Sequence, residues 1–148
     1  MRPYAHPLDC PAWFALNGPH AGLGSGGALA RRYDEAISPF AAAPDISAQA
    51  VAALGALAHE DDEMALLERA PPTPPPGIAQ TITAAGVQMV WAQFPGAAEI
   101  EHTPLGDADA LEMQALAALT RPGPFRAKTH TMGRFIGVRH EGRLIAMA

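Results

Sequence analysis

Residues 120–126 form a short loop with two arginines, and it is the stretch best suited to bind an anion. Its sequence is Thr120-Arg121-Pro122-Gly123-Pro124-Phe125-Arg126. The prolines restrict the backbone, Phe125 can pack inward as an anchor, and a guanidinium matches the geometry of a carboxylate or phosphate. A turn that merely ends a helix would have the same composition, and the two interpretations carry equal weight. The candidate substrate-binding residues are Thr120, Arg121, Pro122, Gly123, Phe125 and Arg126.

Other reactive side chains do not form a recognisable pattern. Cys10 has only His6 nearby as a base, and a catalytic pair needs a spatial match and a third, orienting group. The six histidines are scattered, without the i, i+4 spacing of a helical zinc site. The acidic run at 59–63 reads as a solvated loop, because consecutive residues rarely converge on one ion. We therefore expect a structural Cys10 and no metal.

The glycine-rich stretch at 22–27 resembles a phosphate-binding loop in composition alone. No strongly predicted strand precedes it, and the only lysine, Lys128, is far from it. We predict a flexible loop there.

The composition indicates a globular protein and excludes several classes of partner. The chain has 148 residues, of which 49% are hydrophobic, and a net charge of −5. An acidic chain is a poor match for nucleic acid, and no apolar run approaches the ~20 residues of a membrane span. The first residues lack the apolar segment of a secretory signal, and a single cysteine fits a reducing compartment. We expect a cytoplasmic protein.

A proline tract at residues 71–77 predicts a division of the chain into two units. Residues 1–70 read as an α/β lobe, with a short helix at 11–16, strands at 28–33 and 38–40, a helix capped by Ser47, and a strand at 64–67. The tract itself should form an extended surface linker.

Residues 78–148 read as a second α/β unit. Alternation predicts a half-buried strand at 87–94 and a shorter one at 99–103. A helix follows at 107–120, with Asp107 as its cap, and a hairpin at 135–148 turns at Glu141-Gly142. The expected buried stripe of that helix is Leu111, Ala115, Leu116 and Leu119.

The sequence ends inside an apolar predicted strand, Leu144-Ile145-Ala146-Met147-Ala148. Such a strand exposes an unpaired edge. We therefore expect a truncated chain, or pairing along Leu144–Met147 with a second copy or with a C-terminal half.

These features together resemble the front half of a bacterial GNAT-superfamily N-acetyltransferase domain. The resemblance rests on Thr-Arg-Pro-Gly-Pro-Phe at 120–125, Gly-Arg-Phe-Ile-Gly-Val-Arg at 133–139 and Glu-Gly-Arg-Leu-Ile-Ala-Met-Ala at 141–148, and it is strongest over 87–148. It implies an α/β (α+β) fold, in which an incomplete GNAT-like mixed sheet is flanked by helices and preceded by the small N-terminal lobe.

The resemblance also implies transfer of acetyl from acetyl-CoA to an amine. The helix 107–120, the loop 121–125 and a short helix at about 129–133 would border the pocket of the amine acceptor, a small molecule or a peptide. In this family an Arg/Gln-x-x-Gly-x-Gly/Ala turn after the third strand holds the pyrophosphate of acetyl-CoA. We expect no such turn anywhere in the chain, and the family's late tyrosine is missing. No cofactor-binding or catalytic residue can therefore be assigned.

The sequence thus favours the N-terminal part of a GNAT-type N-acetyltransferase, inactive as an isolated chain. The alternative is a non-enzymatic, acetyltransferase-like module that binds a partner through its open sheet edge.

Overall fold

A computed structural model describes residues 4, 6–60, 62–90, 92, 96 and 100–148. The chain divides into two units, Met1–Ala84 and Ala85–Ala148, and both mix helices with a small sheet.

The first unit contains a four-stranded sheet and two short helices. The strands β1 (Gly24–Gly26), β2 (Arg31–Tyr33), β3 (Phe40–Ala42) and β4 (Ala65–Leu66) lie in that order, antiparallel except for the parallel β3–β4 pair. Helix α1 (Pro11–Leu16) packs against β2 and β3. Helix α2 (Ala48–Gly55) supplies Ala50 and Leu54 to a core made mainly of alanines. Small side chains let these short elements approach closely.

Local signals located the helices of this unit correctly. The Ser47 hydroxyl accepts a hydrogen bond from the Ala50 amide at 3.3 Å, which is an N-cap. The i, i+4 pair Ala50 and Leu54 then faces the core. Pro75 of the proline tract is buried and packs against Gly55, while the other residues of the tract have no regular helix or strand.

The prediction of a flexible loop at 22–27 is wrong, because residues 24–26 form strand β1. Gly24 lies directly opposite Tyr33 in the register of β1 and β2. A Cβ atom at Gly24 would overlap the carbonyl oxygen of Arg32. Glycine is required here by close backbone approach rather than by mobility.

The second unit contains a three-stranded antiparallel sheet in the order β5 (Thr103–Leu105), β6 (Phe135–His140) and β7 (Arg143–Met147). Helix α3 (Ala110–Thr120) follows a single 3-10 turn, Asp107–Asp109, and packs against β7. A second 3-10 turn, Thr129–Met132, precedes β6.

The predicted hairpin is confirmed. Glu141 and Gly142 have φ values of 49° and 78°. Positive φ at both central residues is the type I′ turn that matches the twist of two antiparallel strands.

The strand predicted at 87–94 does not form over its described part. Residues 87–90 have no regular structure, and Val87 is 88% exposed. Trp91, Gln93 and Phe94 lie outside the described residues, as does Glu99 of the strand predicted at 99–103. Among the described residues of this unit, the first strand begins at Thr103. Alternation alone cannot make a strand unless a neighbouring strand pairs with it.

Two expectations for α3 are also wrong. The Gly106 amide donates to Asp109 Oδ2 at 2.9 Å, so Asp109 rather than Asp107 caps the start. Leu111 and Leu119 are 82% and 80% exposed, and Ala115 is exposed as well, whereas Met113 and Ala117 are buried. Apolar residues occupy almost every position of this helix, so their spacing did not identify the face that packs on the sheet.

No helix in the described part of the chain has the length and hydrophobicity needed to cross a membrane.

Candidate functional site

An open groove of about 570 Å³ lies in the second unit, beside the C-terminal half of α3 and the loop that follows it. It is lined by Gln114, Ala117, Ala118, Arg121, Gly123 and Phe125.

Helix α3 and its C-cap residue form one wall of the groove. Gln114, Ala117, Ala118 and Arg121 follow the i, i+3, i+4, i+7 spacing of a single helical face. The two alanines leave room beside the backbone, and the Gln114 amide nitrogen donates to the Ala110 carbonyl at 3.2 Å. This wall is therefore mostly apolar, with one amide and one guanidinium.

Arg121 ends the helix in a left-handed conformation, with φ 50° and ψ 52°. Its backbone amide donates to the Ala117 carbonyl at 2.7 Å and satisfies one of the last helical acceptors. A residue with a Cβ pays roughly 1–2 kcal/mol to adopt this region. A side chain held at such a position is a reason to ask what it contacts.

Phe125 anchors the loop to the sheet. Its ring meets the ring of Phe135 on β6 edge to face, with centroids 5.9 Å apart and planes at 88°. The loop then continues into the second 3-10 turn, where the Arg126 amide donates to the Thr129 hydroxyl at 2.7 Å. The far side of the groove is thus fixed to β6 and to residues 129–132.

The structure brings three of the six candidate substrate-binding residues to the groove, namely Arg121, Gly123 and Phe125. The Thr120 hydroxyl donates instead to the Leu116 carbonyl at 2.9 Å. Pro122 is exposed outside the lining, and the Arg126 backbone serves the 3-10 turn.

Sequence reasoning missed Gln114, Ala117 and Ala118. Counting back three, four and seven residues from Arg121 would have found all three, because they share its helical face.

An ion-pair cluster fixes the hairpin to the start of α3. Arg139 contacts Glu112 at 2.6 Å and Asp109 at 2.7 Å, and the other oxygen of Glu112 accepts from the Leu144 amide at 2.7 Å. The hydrogen bond from Leu144 and the one from Arg139 lower the pKa of Glu112. The hydrogen bond to Glu112 raises the pKa of Arg139.

His130 connects the two 3-10 turns. Its Nε2 lies 2.8 Å from Asp107 Oδ1, and its side chain is only 8% exposed. Asp107, expected as a helix cap, therefore holds residues 129–132 against the beginning of α3.

Cys10 and His6 do not form a catalytic pair. Cys10 is fully buried and its sulfur contacts the Ala43 carbonyl at 4.0 Å, while His6 accepts a hydrogen bond from the Leu8 amide. Burial raises the pKa of the Cys10 thiol to about 11. Within the described ranges no group of three His, Cys, Asp or Glu side chains could hold a metal ion.

Two glycine patterns contradict the expectations drawn from the sequence, because each has a spacing that was expected to be absent. Gly22, Gly24 and Gly27 have the Gly-x-Gly-x-x-Gly spacing, but β1 occupies its centre and leads to β2, not to a helix that could bind phosphate. Gln93–Ala98 matches the Arg/Gln-x-x-Gly-x-Gly/Ala pattern, yet it precedes β5. All of its residues except Gly96 lie outside the described part of the chain.

No protein-family model and no curated protein matches this chain. Among solved structures, it is similar to a protein from Novosphingobium aromaticivorans, assigned as an acetyltransferase of the GNAT family and determined at 1.80 Å resolution. The TM-score is 0.76 and the identity 38%, over 96% of this chain and 63% of that protein. This chain thus spans under two thirds of its relative. The agreement in sequence and fold along nearly the whole of this chain shows a GNAT-like fold and supports a GNAT-type acetyltransferase.

Proposed function

We propose that this chain binds the acceptor amine in an acetyl transfer from acetyl-CoA, and that the groove between α3 and the loop 121–125 is the acceptor site. The observation that carries the proposal is the groove itself, which lies on the helix and loop that the family resemblance implies as the borders of the acceptor pocket.

The groove lining is suited to binding and orientation. Ala117 and Ala118 leave space, Phe125 supplies an aromatic edge, and Gln114 and Arg121 supply polar groups. None of the lining side chains is a carboxylate, histidine or other base that titrates near neutral pH. The contribution of this site is therefore to hold the amine in place rather than to remove its proton.

The described residues do not fit the pyrophosphate of acetyl-CoA. Helix α1 has Pro11 at its first position, and Asp45 and Ser47 occupy the start of α2. The first turns at α3 contain Asp107, Asp109 and Glu112, whose charges oppose an anion at that N-terminus. We propose that the isolated 148 residues are inactive in acetyl transfer.

Isothermal titration of acetyl-CoA into the purified chain tests this proposal. We expect no saturable heat at millimolar ligand. Saturable binding would contradict the proposed inactivity. The next candidate for the acetyl-CoA site would then be Gln93–Ala98, and titration of the Gly96→Val variant would test it.

A second candidate function is association through the outer strand β7. Among the described residues β7 pairs only with β6, and Ile145 is 55% exposed. Ile136 and Ala148 exchange two backbone hydrogen bonds of 3.0 Å. The backbone N–H and C=O groups of the preceding residue, Met147, therefore point to the outer edge of the sheet. Leu144 is less available, because its amide already donates to Glu112. We propose that a second copy pairs along 145–147.

Sedimentation velocity tests this association. Ile145→Lys should convert a dimer into a monomer, because a charged edge strand opposes pairing. Ile136→Lys on the inner strand β6 is the matched control and should leave the dimer intact. A monomeric wild-type chain, or a dimer that survives Ile145→Lys, would argue against pairing at this edge.

A further inference from the structure

We propose that the amine bound in the groove carries an oxyanion, a carboxylate or phosphate, that pairs with Arg121, and an apolar or aromatic portion that packs between Ala117, Ala118 and Phe125. This inference rests on the proposed function and names the class of its substrate.

The groove lining has one positive charge, that of Arg121, and no negative charge. Arg121 is exposed, and within the described residues its side chain forms no ion pair. The other five lining residues are an amide and four uncharged residues. A guanidinium beside an apolar surface is the arrangement that selects a ligand with one anionic and one apolar part.

The backbone holds Arg121 in this place. The hydrogen bond from its amide to the Ala117 carbonyl fixes the left-handed helix end. The next residue is Pro122, whose ring fixes its own φ angle. The Phe125–Phe135 contact fixes the other end of the loop. The guanidinium is thus attached to a restrained backbone, which lowers the entropic cost of binding.

The segment that contains the groove loop has a net positive charge, although Arg139 is already paired with Asp109 and Glu112. Residues 120–148 contain six of the ten Lys and Arg residues of the chain but only one acidic residue, Glu141. The C-terminus of α3 opposes an anion with about half an elementary negative charge. The full charge of Arg121 outweighs it.

Gln114 suggests where the amine lies. Since its amide nitrogen donates to Ala110, its carbonyl oxygen is left to accept from an amine. Gln114 and Arg121 are seven residues apart, which is roughly 10 Å along a helix. The amine and the oxyanion therefore lie at opposite ends of an apolar spacer.

Binding to the 148-residue chain can be measured without acetyl transfer. The probes are 3-phenylpropanoate, phenyl phosphate and the neutral 3-phenylpropanamide, followed by amide and arginine side-chain NMR shifts. We expect the better of the two anions to bind at least about fivefold more tightly than the amide, which is ~1 kcal/mol. The shifts should centre on Ala118, Arg121 and Gly123.

The two anions distinguish the two sources of the oxyanion. Tighter binding of 3-phenylpropanoate identifies a carboxylate substrate, and tighter binding of phenyl phosphate identifies a phosphate. Equal affinity of the amide and both anions, or shifts away from these residues, would overturn the inference.

Two matched variants test the role of the charge. Arg121→Gly suits the left-handed backbone, keeps the fold and should abolish the preference for the anion. Arg134→Ala removes the same charge from an exposed position outside the groove and should retain that preference. If both variants bind the anions as the wild type does, the assignment to Arg121 is wrong.

Failure of this inference can be told apart from failure of the proposed function. Acetyl transfer to amines that lack an anion, by a preparation containing this chain, would leave the function standing and refute the substrate class. Anion-selective binding at Arg121 with no acetyl transfer in any preparation would refute the function alone.

Discussion

The backbone of Arg121 is the most informative single-residue feature of the candidate site. Among the described residues only Arg121 and Glu141 combine a side chain with positive φ. Glu141 is explained by its hairpin turn, which requires that geometry. At the end of α3 glycine is the usual residue, so an arginine there costs stability and places a charge in the groove.

Replacing Arg121 separates these two effects. We expect Arg121→Gly to be about 0.5–1 kcal/mol more stable than Arg121→Ala, because glycine adopts positive φ freely although it is more flexible when unfolded. Urea unfolding followed by circular dichroism measures the difference. Both variants lose the charge, so only the backbone differs. Equal stability would show that the helix end is not strained.

At the scale of elements, the ion-pair cluster connects α3 to the hairpin. Glu112 uses both carboxylate oxygens, one for Arg139 and one for the Leu144 amide. Because the pKa of Glu112 is lowered in the folded chain, its contribution to the stability of the fold is fully present above the ordinary pKa of a glutamate. It is lost as the pH falls through the lowered value.

Removing Glu112 should loosen β7 locally. In Glu112→Ala we expect hydrogen exchange of the Leu144 amide to be at least about tenfold faster, since the amide loses its acceptor. Glu101→Ala, which removes an exposed carboxylate outside the cluster, is the control and should leave that rate unchanged. Unaltered exchange in Glu112→Ala would show that the bond does not protect the strand.

Two glycines at and just before the start of β1 test the packing of this strand on β2. Gly24→Ala should destabilise the first unit by about 2 kcal/mol or more, because its Cβ would overlap the Arg32 carbonyl, a backbone atom that cannot move aside. Gly22→Ala meets no atom within 4 Å and should be nearly neutral. Thermal unfolding of the two variants gives the comparison. Equal melting temperatures would contradict the close packing of β1 on β2.

At the scale of the whole molecule, buried titratable groups predict how stability depends on pH. Burial raises the pKa values of Cys10, Tyr4 and Glu68 in the first unit, and the Glu68 charge adds to the effect on Tyr4. In each case folding favours the protonated form. The stabilisation is complete below the ordinary pKa and is lost as the pH rises through the raised value.

The prediction is a loss of stability in alkaline solution. Between pH 9 and 11 the thiol of Cys10 should reduce the free energy of unfolding by up to about 2–3 kcal/mol, because the folded chain resists its ionisation. Chemical denaturation at several pH values measures this slope. Cys10→Ala should have a shallower slope, and the remainder belongs to Tyr4 and Tyr33, whose pKa values burial also raises. An identical slope in the variant would show that Cys10 does not contribute.

The elements found correctly from the sequence are those with a local cause. Ser47 caps α2, and Glu141-Gly142 determines the hairpin turn, since each acts on amides only a few residues away. The strand at 87–94 had only an alternating pattern. The pattern cannot specify a partner strand distant in sequence, and residues 87–90 do not form that strand.

Half of the residues that line the candidate site could be predicted from the sequence for the same local reason. Arg121, Gly123 and Phe125 stand out because proline and glycine surround them, whereas Gln114, Ala117 and Ala118 are ordinary helical residues until the loop folds beside them. The sequence by itself determined the family resemblance, the helix α3 with its charged stop and the hairpin, because caps, turns and backbone restrictions act locally. Only the tertiary structure decided which face of α3 is buried, that Gly24 belongs to a strand, and that the groove exists. Each of these depends on contacts between different elements, for which several partners are compatible with the same local pattern.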